Sequence, residues 1–198
     1  MIPDRFYPIL EDAGWLRQLL PAGLRFVQLR NKELEGAELR REIREARRLC
    51  EGAGARLVVN DHWEEALAEG VGYVHLGQED LAAADREALR RSGVQLGVST
   101  HDEAELETAL AAAPDYVALG PIYPTRLKVM PWAPQGTERI TAWKRRIGRL
   151  PLVAIGGLTV ERAAEVLAAG ADALAVVTDV TLHADPPARV REWLEATR

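Results

Sequence analysis

Leu152-Val153-Ala154-Ile155-Gly156-Gly157-Leu158-Thr159 opens, and Ala173-Leu174-Ala175-Val176-Val177 closes, the stretch that decides the architecture. Both apolar runs are rich in Val, Leu and Ala without strict polar alternation, the pattern of parallel strands buried on both faces. Between them, residues 159–169 carry helical spacing, with Thr159 placed as an N-cap and Gly170 as a C-cap. Strand, helix and strand in that order make a βαβ unit.

The same alternation runs outward along the chain. Strands are expected at residues 5–10, 25–30, 56–60, 72–76, 95–99, 115–120, 152–155 and 173–177. Residues 35–53 put Leu39, Ile43, Ala46 and Leu49 on one helical face against Arg and Glu on the other. Further helices are expected at 62–70, 81–91 and 102–113, the last capped by Thr100 with Glu103 three residues on. Pro186 or Pro187 opens a final helix that runs through Ala196. Eight such units predict an α/β fold, a single (β/α)8 TIM barrel. A doubly wound open sheet competes, but no GxGxxG follows an early strand. At 198 residues the chain is short for a fold that typically takes about 250, so the loops must be short. No linker or low-complexity tract interrupts it, and one domain over residues 1–198 is expected.

Composition narrows the function classes. The hydrophobic fraction of 47% supplies a sizeable core, and the net charge of −5 with interspersed signs gives no support for nucleic-acid binding. One cysteine, Cys50, excludes an internal disulfide, and its place in a helical run reads as a buried thiol. Met1-Ile-Pro-Asp-Arg5 lacks the regions of a signal peptide, and no apolar run approaches the roughly 18 residues of a membrane span. A soluble protein of a reducing cytoplasm is expected, with small molecules as partners and a homo-oligomer left open.

In such barrels chemistry collects where strands end and βα loops begin. Gln28, Arg30 and Lys32 alternate past the second strand, which suits a polyanion and equally a solvated strand end. Asp61 and Asp80 follow the third and fourth strands. Two acids beside a pyrophosphate suit Mg2+, which takes one or two carboxylates plus phosphate oxygens; each acid also reads as a helix N-cap. His75 lies within a strand and reads as structural, while Ser99 ends the fifth strand as a donor for a phosphate oxygen. The loop after the sixth strand, from Gly120 through Pro131 with Arg126 and Lys128, is too elaborate for a simple turn. Gly156-Gly157 and Val177-Thr178 stand after the seventh and eighth strands, the frequent phosphate site of this fold. Glycine there lets backbone amides approach an anion, and amides at a helix N-terminus favour it.

The ordered motifs resemble one family. Gln28-Leu29-Arg30-Asn31-Lys32, Val59-Asn60-Asp61, Val74-His75-Leu76-Gly77-Gln78-Glu79-Asp80, Gly97-Val98-Ser99-Thr100-His101, Asp115-Tyr116-Val117, Gly120-Pro121-Ile122-Tyr123-Pro124-Thr125 and Ala154-Ile155-Gly156-Gly157 are similar to the thiamine phosphate synthases and their relative, the thiazole tautomerase. The resemblance covers about four fifths of the chain and implies a transferase of thiamine biosynthesis. It would couple a hydroxymethylpyrimidine pyrophosphate to a thiazole phosphate, with pyrophosphate leaving before the thiazole nitrogen attacks. By position, the resemblance implies that Arg30, Lys32, Asn60 and Lys128 hold the pyrophosphate, with Gln28 near the pyrimidine. It also implies that Asp61 and Asp80 bind Mg2+, that Ser99 contacts the pyrophosphate or the cation, and that Thr125, Gly157, Val177 and Thr178 hold the thiazole phosphate. Arg30, Lys32, Ser99 and Lys128 would carry the catalysis. The chain departs from the family pattern where Leu127 replaces a loop threonine and residues 129–136 also differ, where Thr178 replaces a serine, and where the first strand ends Ile9-Leu10-Glu11-Asp12 without the usual Thr-Asp. A tautomerase-like isomerase and a non-catalytic thiazole phosphate-binding protein are the alternatives. The better-known tautomerases carry a histidine in the loop after the sixth strand, where this chain has Pro121 and Tyr123.

Overall fold

The structure, a computed structural model, describes residues 2–125 and 132–198. Eight strands run in chain order: β1 (Phe6–Leu10), β2 (Phe26–Leu29), β3 (Arg56–Asn60), β4 (Tyr73–Leu76), β5 (Gln95–Thr100), β6 (Tyr116–Leu119), β7 (Leu152–Ile155) and β8 (Ala173–Val176). Each pairs in parallel with its sequence neighbour, and β1 pairs with β8, which closes the barrel. Closure removes the open-sheet alternative. Register is fixed by pairs such as Gln28 with Val58 and Ser99 with Ala118.

Strand alternation divides the apolar residues into two cores. Side chains facing the helices, such as Val27, Leu29, Val59, Val74 and Val98, join Leu39, Ile43, Leu106, Ile140 and Trp143 in one cluster. Those facing the lumen, Tyr7, Ile9, Phe26, Val58, Tyr116, Ala118, Val153, Ala173 and Ala175, form the other. Phe6 stacks on Trp193 of the last helix with ring centroids 5.3 Å apart, tying β1 to the C-terminal end. Tyr7 stacks on Phe26 at 4.3 Å inside the lumen. Offset stacking of this kind adds about 0.5–1.5 kcal/mol beyond area burial.

A short chain closes eight units through short helices. Trp63–Ala68, Gln78–Ala83 and Ala163–Ala168 have six residues each. The helix expected at 81–91 is two helices, Gln78–Ala83 and Arg86–Ser92. Asp85 makes the break: its carboxylate accepts from the Glu87 and Ala88 N–H groups and starts the second helix. Asp102, not Thr100, caps the helix Glu103–Ala111, accepting from Glu105 N at 2.9 Å. Glu105 reaches back to His101 N, so the reciprocal cap sits two residues later than the sequence suggested. Thr100 is buried and donates to Ala118 O instead. The expected helix at 159–169 begins as a 3-10 turn, Val160–Arg162, and turns α-helical at Ala163–Ala168.

Cys50 is buried on the inner face of Gly36–Ala53, and burial pushes its thiol up to about 12. It takes the inward position, while Leu49 is only partly buried.

Gly97 has a steric task. A Cβ there would lie 2.0 Å from Cζ of Tyr116 on the adjacent strand. The phenol crosses the lumen through the space the missing side chain leaves. Gly97→Ala is therefore expected to destabilise the fold by at least ~1–3 kcal/mol, the usual cost of overpacking. Chemical denaturation measures it; an unchanged midpoint would show that the ring moves aside freely.

Candidate active site

At the ends of β2, β3 and β4 the chain gathers charge. Gln28 is buried in the lumen, and Arg30 follows it, its N–H bonded to Leu10 O at 2.8 Å. Lys32 stands exposed two residues on. Asn31 shapes the turn between the two cations: its Oδ1 accepts from Glu33 N and Leu34 N, and its Nδ2 donates to Glu11 O. Asn60 ends β3, buried, and Asp61 follows in the left-handed region at φ 61°. Few non-glycine residues adopt that conformation, and aspartate is among the more tolerant. The Asp61 N–H donates to His75 O at 2.9 Å, which ties the β3 loop to β4.

Asp61 and Asp80 come within hydrogen-bonding range of each other, and the Asp61 carboxyl is held above the usual carboxylate range. Burial is the largest cause, followed by the negative Asp80 beside it, while Arg30 and Lys32 pull the other way. Neither acid is a helix N-cap as the sequence also allowed. His62 precedes Trp63–Ala68 in that position, and Gly77 precedes Gln78–Ala83, with Asp80 inside the first turn. Two carboxylates forced together, flanked by cations, are a donor set suited to a divalent cation that also takes phosphate oxygens.

Beneath this rim, polar side chains cross the lumen. Gln28 Nε2 donates to Tyr7 Oη at 2.8 Å, and the Tyr7 and Tyr116 hydroxyls share a hydrogen bond at 2.9 Å. Tyr116 Oη meets His75 Nδ1 at 3.0 Å, and His75 Nε2 meets Ser99 Oγ at 2.8 Å. Burial, with Arg30 nearby, lowers the His75 imidazole to about 4, so the ring is neutral near pH 7. Burial likewise raises both phenols, which stay protonated. Gln78 Nε2 holds Ser99 O at 2.7 Å. Sequence gives Tyr7 no role, and Asn31, Gln78 and Tyr116 none beyond their place in the quoted motifs; Tyr7 and Tyr116 are polar residues inside apolar strands, whereas Asn31 lies in a loop and Gln78 at the start of a helix.

The third cluster follows β6, β7 and β8. Ile122 N donates to Ile155 O and Tyr123 N to Gly156 O, so the two loops are zipped together. The Gly120–Pro121 bond is cis. A Cβ on Gly156 would stand 2.6 Å from Pro121 Cβ, and one on Gly157 2.5 Å from Pro124 O. Both glycines have positive φ. Their need is thus set by packing against the β6 loop as well as by any anion. Arg162 donates to Gly157 O and lies over the Tyr123 ring at 4.2 Å. Thr125 sits in the same loop, partly buried. Lys128, with Arg126 and Leu127, lies outside the described residues. Val177 and Thr178 open the short helix Thr178–Thr181 after β8. Asp179 anchors that turn: it accepts from Arg189 at 2.8 and 3.0 Å and from Trp193 Nε1 at 2.8 Å.

Fold and rim together define a (β/α)8 barrel with a basic and acidic cluster on one side of its strand ends and a glycine-lined loop pair on the other. The sequence profile described as thiamine monophosphate synthase matches residues 7–180. A thiamine-phosphate synthase of Rhizobium etli is 58% identical, covering 98% of this chain and 95% of that one. One from Neisseria meningitidis serogroup A is 45% identical, covering 96% and 93%. Among solved structures, the thiamine phosphate pyrophosphorylase of Pyrococcus furiosus superposes with a TM-score of 0.84 at 26% identity, covering 98% and 95%. The chain belongs to the thiamine monophosphate synthase family.

Asp179→Asn weakens the charge-assisted bonds from Arg189, which count for roughly 1.5–3 kcal/mol when paired with a carboxylate. Amide hydrogen exchange is expected to rise over residues 177–182 while the far side of the barrel keeps its protection. Unchanged exchange there would show that the turn holds without this anchor.

Proposed function

We propose that this chain works as a thiamine-phosphate synthase, joining hydroxymethylpyrimidine pyrophosphate to hydroxyethylthiazole phosphate and releasing pyrophosphate. Family membership and 58% identity over nearly the whole length to a relative of that name support the reading. The observation that carries it is the meeting of Asp61 and Asp80 beside Arg30 and Lys32. A pyrophosphate leaving group needs that combination of cations and paired acids, whereas isomerisation of a thiazole phosphate does not.

The carbon–oxygen bond to the pyrophosphate breaks first, and the leaving group keeps the electron pair. The thiazole nitrogen then supplies the pair that forms the new carbon–nitrogen bond. Such a path depends on stabilising the departing charge and on close positioning of the nucleophile, not on a strong base. Arg30, Lys32 and Asn60 hold the pyrophosphate, joined by Lys128, and Ser99 donates to it. Asp61 and Asp80 hold Mg2+, which when bound offsets the developing negative charge. Gln28 faces the pyrimidine, and Thr125 with the backbone of Gly157, Val177 and Thr178 receives the thiazole phosphate. Residues 1–198 act as one domain, and the phosphorylated substrates belong to the cytoplasm. Among the described residues no helix is long and apolar enough to cross a membrane.

Incubation with both phosphorylated substrates is expected to yield thiamine phosphate with Mg2+ and none after chelation. Asp80→Ala is expected to cut the rate about 100-fold or more, in line with the several kcal/mol that a metal ion contributes to charge stabilisation. Full activity in that variant would remove the metal assignment. Binding of thiazole phosphate by the unaltered protein without product would instead favour the binding-only alternative.

A further inference from the structure

Gln28, Tyr7, Tyr116, His75 and Ser99 come from β2, β1, β6, β4 and β5 and form one line of four hydrogen bonds across the lumen. Its interior members are almost fully enclosed: Tyr7 and Tyr116 are each 1% exposed and His75 6%. Each of these three has one hydrogen to give, since a phenol has one O–H and a neutral imidazole one N–H. A buried phenol that accepted from both neighbours would leave its own O–H unpaired, so a buried group in such a line donates to one neighbour and accepts from the other. The line therefore has a single direction, and reversing one member requires reversing all of them.

Only two arrangements make every link and leave no buried hydrogen unpaired. In the first, Gln28 gives its N–H to Tyr7, Tyr7 donates to Tyr116, and Tyr116 donates to His75 Nδ1. His75 then donates from Nε2 to Ser99 Oγ. Gln28 turns its carbonyl oxygen to the rim, and the Ser99 hydroxyl hydrogen is released to the rim as a donor. In the second, the Gln28 amide is turned over, His75 carries its hydrogen on Nδ1, and Ser99 donates inward. The rim then meets the Gln28 N–H and the Ser99 lone pairs. Among the described residues, the Gln28 side chain has no hydrogen-bond partner other than Tyr7, so its second polar atom is available to a ligand in either arrangement.

We propose that Tyr7, Tyr116 and His75 are positioning residues that couple the hydrogen-bonding sense of Gln28 to that of Ser99. The pocket thereby selects a ligand that brings an acceptor to Ser99 and a donor to Gln28 together. This rests on the synthase reading above and deepens it. A pyrophosphate oxygen can only accept, so it fixes Ser99 as donor and, through the line, Gln28 as acceptor. The exocyclic amine of the pyrimidine substrate supplies the matching donor. A pyrimidine with a carbonyl in place of that amine demands the opposite sense at Gln28, and then one buried link fails or one buried O–H goes unpaired.

Two measurements test the coupling. The first uses the unaltered protein with 15N-labelled histidine, inorganic pyrophosphate and Mg2+, and needs no turnover. The His75 resonances, assigned through His75→Gln, are expected to report a neutral ring protonated on Nε2. A ring protonated on Nδ1, or a charged one, in that complex would overturn the proposal. The second compares kcat/KM for the amino substrate and its oxo analogue, each with the thiazole phosphate. Tyr116→Phe keeps the packing and cuts the line, so the preference for the amine is expected to fall about tenfold, one buried hydrogen bond's worth. Tyr7→Phe cuts the same line elsewhere and serves if the first variant does not fold. A preference within twofold of the unaltered protein in the variant that folds would also overturn it. Intrinsic reactivity differences between the two pyrimidines cancel in the ratio between proteins. If the unaltered protein forms no thiamine phosphate, the synthase reading fails by itself, and the tautomer measurement still decides the coupling.

Discussion

Two phenol hydroxyls 2.9 Å apart, those of Tyr7 and Tyr116, lie at the centre of the lumen, and much of the molecule is arranged around them. A barrel of eight strands has to be filled by its own side chains, and burying unpaired hydroxyls there is costly. Tyr116 fits because Gly97 on the next strand has no Cβ. Tyr7 is held by stacking on Phe26 and by the amide of Gln28. His75 takes up the remaining valence of Tyr116 and passes it to Ser99. The polar line thus closes within the protein and ends at two residues of the rim, so core packing and site geometry are set by the same contacts.

The parallel strands were readable because each is a short apolar run between helical segments, and all eight lie where that pattern put them. Boundaries moved by a residue or two, as for β2, where Arg30 continues the pairing with Leu10 O beyond the strand proper. Helix breaks were less legible. Residues 81–91 have a continuous helical composition, and only the competition of the Asp85 carboxylate for the next N–H groups divides them. Thr100 and Asp102 are both good caps by type; the choice fell to Asp102 because Thr100 faces a buried carbonyl on β6.

The rim was legible in its charges and illegible in its supports. Arg30, Lys32, Asp61 and Asp80 stand out because charge at a strand end is unusual beside an apolar run. Asp61 and Asp80 are ambiguous in sequence, since a cap and a metal ligand use the same residue type; neither proves to be an N-cap, and burial, with Asp80 beside it, raises the Asp61 pKa. Gly156-Gly157 was read as room for an anion, but the atoms nearest their missing side chains belong to Pro121, Tyr123 and Pro124. No local pattern could reveal that, because Pro124 and Gly156 are 32 residues apart and their loops meet only when β6 and β7 pair.

Closure also sets where the two regions of the rim lie. The glycine-lined loop pair follows β6 and β7 with Thr178 after β8, the acidic and basic cluster follows β2 to β4, and β1 stands between β8 and β2 in the ring. The end of β1 is committed to structure. Asp12 caps the helix Ala13–Leu19 by accepting from Trp15 N, Ala13 N donates to Glu42, and Glu11 O accepts from Asn31. Capping at β1 ties the gap between the two regions to the helix Ala13–Leu19. The same bonds join that gap to Asn31, the residue that spaces Arg30 from Lys32, so a local folding device at the first strand also sets the geometry of the second.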